Sequence, residues 1–165
     1  MIKALLDSNV LLDFLMRREF HEDAAQVMNI AGRQEFKAFA SAHEITTVAY
    51  FLEKNPPTRG KIREHLSLLL GIIQILPVDQ DILEKALHSR IADYEDAVLE
   101  AVSLKHGIEF IVTRNKSDFT HSKVEPVSPG IFLGLLQKKS PGDRIAEPAA
   151  SYRTRPRRRS GKKQS

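Results

Sequence analysis

The stretch Lys3-Ala4-Leu5-Leu6-Asp7-Ser8-Asn9-Val10-Leu11-Leu12 sets the architecture of the chain. A short apolar run meets three small polar residues, and the apolar residues then resume. This reads as a buried strand over 3–6, a turn or cap, and a helix over 10–17. Working outward, Ala24, Val27, Met28 and Ala31 recur at helical spacing within 21–33, and 36–40 alternates as a strand. Ser41 with Glu44 three residues on has capping-box spacing, predicting a helix to Lys54 that Pro56-Pro57 ends. An amphipathic helix over 61–73 and a strand over 74–78 follow. Two further helices are predicted: 79–89, with Ile82, Leu83, Ala86 and Leu87 inward, and 93–106, with Ala97, Val98, Ala101, Val102 and Leu104 inward. Gly107 closes the second of these. Strands over 109–113 and 124–127 and a helix over 129–137 complete the pattern. Strands separated by helices predict an α/β fold, a three-layer α/β/α sandwich with a mainly parallel central sheet.

Composition narrows the function. The 165 residues include no cysteine, which excludes disulfides, iron–sulfur clusters, thiolate zinc sites and a cysteine nucleophile. No apolar run approaches the ~18 residues of a membrane span, and the start lacks a signal-peptide pattern, so a cytoplasmic protein is expected. Charge divides the chain in two. Residues 138–165 hold ten Lys or Arg and two acids, a net +8, whereas the rest holds fifteen basic and nineteen acidic residues, a net −4. The expected organisation is a body over 1–137 and a disordered basic tail over 138–165. The tail is too polar to offset its ordering entropy and suited to phosphate backbones.

Ligands in such sheets sit beyond the carboxyl ends of the strands. Acids collect there: Asp7 after the first strand, Glu44 and Asp96 in first turns of helices, and Asp118 shortly after the fourth strand. Each alone reads equally well as a cap or a solvated acid. Together they would repel unless a cation neutralised them, and oxygen-only ligation suits Mg²⁺ or Mn²⁺. Ser8 and Asn9 are placed to orient Asp7 or to cap the next helix, and Thr113 to bond a neighbouring carboxylate. Arg114 fits equally a phosphate contact or a solvated surface. Of the six histidines only His43 adjoins a motif, and its helix position turns it away from Glu44.

Four motifs in order, Leu5-Leu6-Asp7-Ser8-Asn9-Val10-Leu11-Leu12-Asp13, His43-Glu44-Ile45, Asp93-Tyr94-Glu95-Asp96-Ala97 and Thr113-Arg114-Asn115-Lys116-Ser117-Asp118-Phe119, resemble those of PIN domains, and of VapC-type toxin ribonucleases in particular. The resemblance spans residues 2–136. It implies a compact α/β/α fold, Mg²⁺- or Mn²⁺-dependent cleavage of RNA, frequent homodimers and, for the toxins, a small antitoxin that blocks the site. Position by position it implies that Asp7, Glu44 and Asp96 are the three core acids and Asp118 the fourth. Asp7 and Asp96 would then hold the principal ion, with Glu44 and Asp118 acting through water or on a second ion. Asn9, Asp93, Thr113 and Asn115 are supporting residues, and Glu95 flanks the third motif. Asn115 stands where many relatives carry an acid, which leaves Asp118 as the only acid of the last motif. The alternative is a PIN-like RNA- or partner-binding module with a weakened site and no turnover. A phosphatase of the haloacid-dehalogenase type would need a second Asp where this chain has Asn9.

Overall fold

The computed structural model describes residues 1–139. In chain order these form β1 (Lys3–Leu6), α1 (Ser8–Met16), α2 (His21–Gly32), β2 (Lys37–Ser41), α3 (Ala42–Lys54), α4 (Pro56–Arg59) and α5 (Ile62–Ile72). They continue through β3 (Gln74–Leu76), α6 (Gln80–Ala86), α7 (Tyr94–His106), β4 (Phe110–Val112), a 3-10 turn (Lys116–Phe119), β5 (Glu125–Val127) and α8 (Pro129–Lys139). The strands make one sheet in the order β3-β2-β1-β4-β5, with every neighbouring pair parallel.

Alternation along each strand divides the core into two layers, because successive side chains leave opposite faces of a sheet. Ala4, Leu6, Ala38 and Ala40 pack on one side with Val10, Met28, Leu52 and Phe132, under α1, α2, α3, α5 and α8. Leu5, Phe39 and Ile111 pack on the other side with Ile82, Val98 and Val102, under α6 and α7. The result is the expected three-layer α/β/α sandwich. β1 lies at the centre. The chain leaves it towards β2 and returns later to β4 on its other side, so the ends of β1 and β4 flank the point where the strand order reverses.

Local signals explain most boundaries. Asp7, Ser41, Asp79 and Asp93 each cap a helix by accepting a backbone N–H. Gly107 ends α7 at φ +62°, a conformation that costs glycine little. Pro56-Pro57 ends α3 as expected but also opens α4, since proline's φ suits the first turn of a helix.

Several inward positions need correction. Ile82 and Ala86 are buried, but Leu83 is 40% and Leu87 69% exposed. α6 stops at Ala86, so Leu87 lies beyond it, and Leu83 leaves the helix away from the Ile82–Ala86 stripe. Leu104 is 47% exposed and opens onto a surface cavity with Lys85 and Lys123. Conversely Leu99, Glu100 and Ser103 are buried, so α7 is covered over most of its circumference from Ala97 to Ser103. α8 runs two residues past its expected end, to Lys139, and the predicted disordered tail otherwise lies outside the described residues.

Candidate active site

Asp7 follows β1 directly and caps α1, which fixes its carboxylate at the carboxyl edge of the sheet. Its Oδ1 accepts from the Ser8 hydroxyl at 3.2 Å and the Asn9 amide at 3.2 Å. Its Oδ2 accepts from the Thr113 hydroxyl at 2.6 Å and from Asn9 Nδ2 at 3.4 Å. Four donors from two strand ends thus hold one carboxylate in a single orientation. Thr113 is fully buried at the end of β4, and its Oγ1 also accepts the Asn115 N–H at 3.0 Å. That second bond shapes the turn into Lys116–Phe119.

Glu44 sits in the first turn of α3, where its N–H donates to the Ser41 hydroxyl at 3.1 Å. In a complete capping box its side chain would return to the Ser41 N–H. Here the carboxylate instead accepts the Ser8 N–H at the start of α1. Burial, and then the charge of Asp7, raise the Glu44 carboxyl well above the usual carboxylate range. Asp96 lies in the first turn of α7. Burial pushes its carboxyl up to about 7, with added repulsion from Asp7, Asp93, Asp118 and Glu95. Asp118 projects from the 3-10 turn, is exposed, and accepts from the Ser117 hydroxyl at 3.3 Å.

Asp7 is therefore an electrostatic neighbour of both Glu44 and Asp96, and Asp96 of Asp118. Among the described residues none of these four acids has a Lys, Arg or His within ion-pair distance. Nor, among those residues, do three acids or histidines close to the mutual distances of a coordination shell. The donor set is nonetheless the kind a hard divalent cation prefers, carboxylate and hydroxyl oxygen without thiolate. The repulsion felt at Asp96 is the charge imbalance that such a cation would relieve.

The supporting residues separate by role. Asn9 and Thr113 touch Asp7. Asp93 uses Oδ1 to cap α7 through the Glu95 and Asp96 amides, at 2.8 and 3.3 Å. Asn115 contributes its backbone N–H, and its side chain bonds none of the described residues. His43 turns from Glu44 to Glu95, Nε2 to Oε1 at 3.1 Å.

The sequence profile of the PIN domain matches residues 3–117, more than half of the chain. The chain belongs to the PIN domain family. No curated protein gives a significant match. Solved structures do. A toxin–antitoxin complex from Klebsiella pneumoniae is 25% identical, with TM-score 0.58, over 76% of this chain and 97% of that one. A DNA-bound VapBC complex from Salmonella typhimurium is 15% identical, with TM-score 0.62, over 78% of this chain and 99% of that one. A VapC toxin of Mycobacterium tuberculosis described as cleaving the sarcin–ricin loop is 16% identical, with TM-score 0.57, over 74% of this chain and 99% of that one.

One pair beside this PIN-domain site was not expected from the sequence. Asp13 on α1 is fully buried, and its Oδ2 lies 3.1 Å from Arg114 Nε. Burial raises the Asp13 carboxyl, while the charges of Arg114 and Arg18 pull it back down. Arg114 also stacks over Phe20, 5.0 Å from the ring centroid. The expectation of a solvated surface at Arg114 is corrected accordingly: the guanidinium faces the buried Asp13 and ties the β4 end to α1. The available signal was an acid set between Val10-Leu11-Leu12 and Phe14-Leu15-Met16, where solvation is unattainable without a partner.

Proposed function

We propose that this PIN domain is a metal-dependent endoribonuclease that hydrolyses RNA phosphodiester bonds, acting as the toxin of a toxin–antitoxin pair. The observation that carries the reading is that Asp7 is an electrostatic neighbour of both Glu44 and Asp96, and Asp96 of Asp118, while among the described residues none of the four is ion-paired to a Lys, Arg or His. Asp7 and Asp96 would hold a Mg²⁺ or Mn²⁺ ion, with Glu44 and Asp118 beside it. A divalent ion bound there lowers the pKa of a water and offsets the negative charge of the phosphate. The chain's own residues do the rest. Thr113, Ser8 and Asn9 hold Asp7 in one orientation, and Glu44 is anchored on the α1 amide. Arg90, Ser117 and His121 line a cavity of about 480 Å³ that reaches Asp93 and Asp118, supplying positive charge and hydrogen bonds for an RNA backbone. The toxin–antitoxin complexes among the structural neighbours support a small antitoxin as partner. A homodimer in the cytoplasm belongs to the same proposal.

The test is cleavage of mixed RNA in Mg²⁺ or Mn²⁺. Asp7→Asn and Asp96→Asn are each expected to lower the rate by about a hundredfold or more, above the usual loss for an outer-shell partner. Circular dichroism should show both variants folded. Full activity in either under saturating metal overturns the assignment. RNA binding without metal-dependent turnover selects the binding-module alternative.

A further inference from the structure

A cavity of about 560 Å³ opens immediately beside the acid cluster, between the first turns of α3 and α7 and the side of α6. We propose that it is a nucleobase subsite for the RNA strand, taking a base with an exocyclic amino group. This rests on the ribonuclease reading for its substrate.

Position supplies the first argument. His43 and Glu95 line the cavity and are the chain neighbours of Glu44 and Asp96, so their Cα atoms lie only ~3.8 Å from those of the site acids. A nucleotide whose phosphate lies at the acids therefore has its own or an adjacent base within reach of this space.

Shape and chemistry supply the second. Tyr94 is 46% exposed, yet its hydroxyl donates to the Leu83 carbonyl at 2.9 Å. The far end of the ring is pinned while the ring remains open, which makes a preorganised stacking platform. Val78 and Leu83 line apolar wall, matching the face of a base rather than a phosphate. At the rim, Glu95 Oε1 meets His43 at 3.1 Å and accepts the Thr47 hydroxyl at 3.4 Å. Its Oε2 accepts no hydrogen bond from the described residues. A carboxylate repels a phosphate but accepts from an amino group, so the rim selects the edge of cytosine, or of a purine amino group, over the carbonyl of uracil.

The test uses the full chain carrying Asp7→Asn, so that RNA survives the measurement. Its affinity for short oligocytidine, oligouridine and an abasic ribose-phosphate strand of equal length is read by fluorescence anisotropy without metal. Oligocytidine is expected to bind about tenfold tighter than oligouridine, and the abasic strand weakest. Leu83→Trp, at a half-open position that tolerates bulk, fills the cavity and should bring all three to the abasic value. Tyr94→Leu should weaken both base-bearing strands. Leu87→Trp, on the same side of the molecule but outside the cavity, should change nothing. Equal affinity for the three strands, or discrimination that survives Leu83→Trp, overturns the subsite. So does a sedimentation result in which Leu83→Trp dissociates a dimer without any base effect, since the cavity would then hold a second copy of the chain. Base discrimination in a protein whose unmutated form shows no metal-dependent cleavage would instead overturn the ribonuclease reading and leave the subsite standing.

Discussion

Asp96 has a titration whose consequence can be measured in the metal-free protein. Its carboxyl is raised from 3.8 to about 7, by burial first and then by the neighbouring acids. Between those values the native state holds a proton that the unfolded chain has released. Stability from this group is therefore full below about pH 4 and is lost as pH rises towards 7. Asn at this position carries no charge at any pH. The stability of Asp96→Asn minus that of the unmutated protein, from urea unfolding in chelator, should start near zero at pH 4, grow with pH, and level off above about pH 7. Millimolar Mg²⁺ should shrink the difference. A difference independent of pH would show that neither burial nor the neighbouring acids raise the Asp96 carboxyl. Thr113 has a separate role. Thr113→Val removes the 2.6 Å bond to Asp7 and strands the Asn115 N–H, so RNA cleavage should fall about ten- to hundredfold, with a stability cost of about 1–2 kcal/mol. That Thr113 could bond some neighbouring carboxylate was legible because the residue follows an apolar strand; that the carboxylate is Asp7's was not. The Asp13–Arg114 pair was not, because no local pattern says which cation a buried acid will meet.

At the scale of elements, helix starts follow from capping chemistry and are the most legible feature of the chain. Ser41 accepts the Glu44 amide as its spacing suggests, but the reciprocal half of the box is absent because Glu44 is drawn to α1. Tertiary competition for one carboxylate overrode a local preference. Glu100 shows the same override on the polar side. It is buried in α7, accepting the Ser89 hydroxyl at 2.7 Å and the Lys123 N–H at 2.6 Å, and so ties two loops to the helix. Helix ends are less regular. α1 stops at Arg17, a non-glycine residue at φ 51°, whose N–H bonds the Asp13 carbonyl. A Cβ in the left-handed region is strained, so Arg17→Gly should raise stability by about 0.5–1 kcal/mol in thermal unfolding. A loss instead would mean that the Arg17 side chain contributes more than its backbone strain costs.

At the scale of the whole molecule, a truncation tests whether the basic segment after Lys139 acts apart from the described residues. Residues 140–165 carry eight Lys or Arg and two acids. α8 keeps Phe132 and Leu133 in the core, so a stop after Lys139 leaves the packed body whole. That truncation should weaken RNA binding and flatten its dependence on salt, by about 0.7 in log–log slope for each phosphate that the segment no longer neutralises, while turnover on saturating RNA is kept. Unchanged binding would assign the segment to another task. Alternation, capping and charge distribution are local properties of the chain, and from them the parallel α/β architecture and the acids at strand ends could be read directly. Which side chains become partners is a different matter. Asp7 and Thr113 stand 106 positions apart and meet because β1 and β4 pair in register at the centre of the sheet. Strand order is set by how the two apolar faces are covered, a property of the whole packed molecule, and no window of sequence contains it.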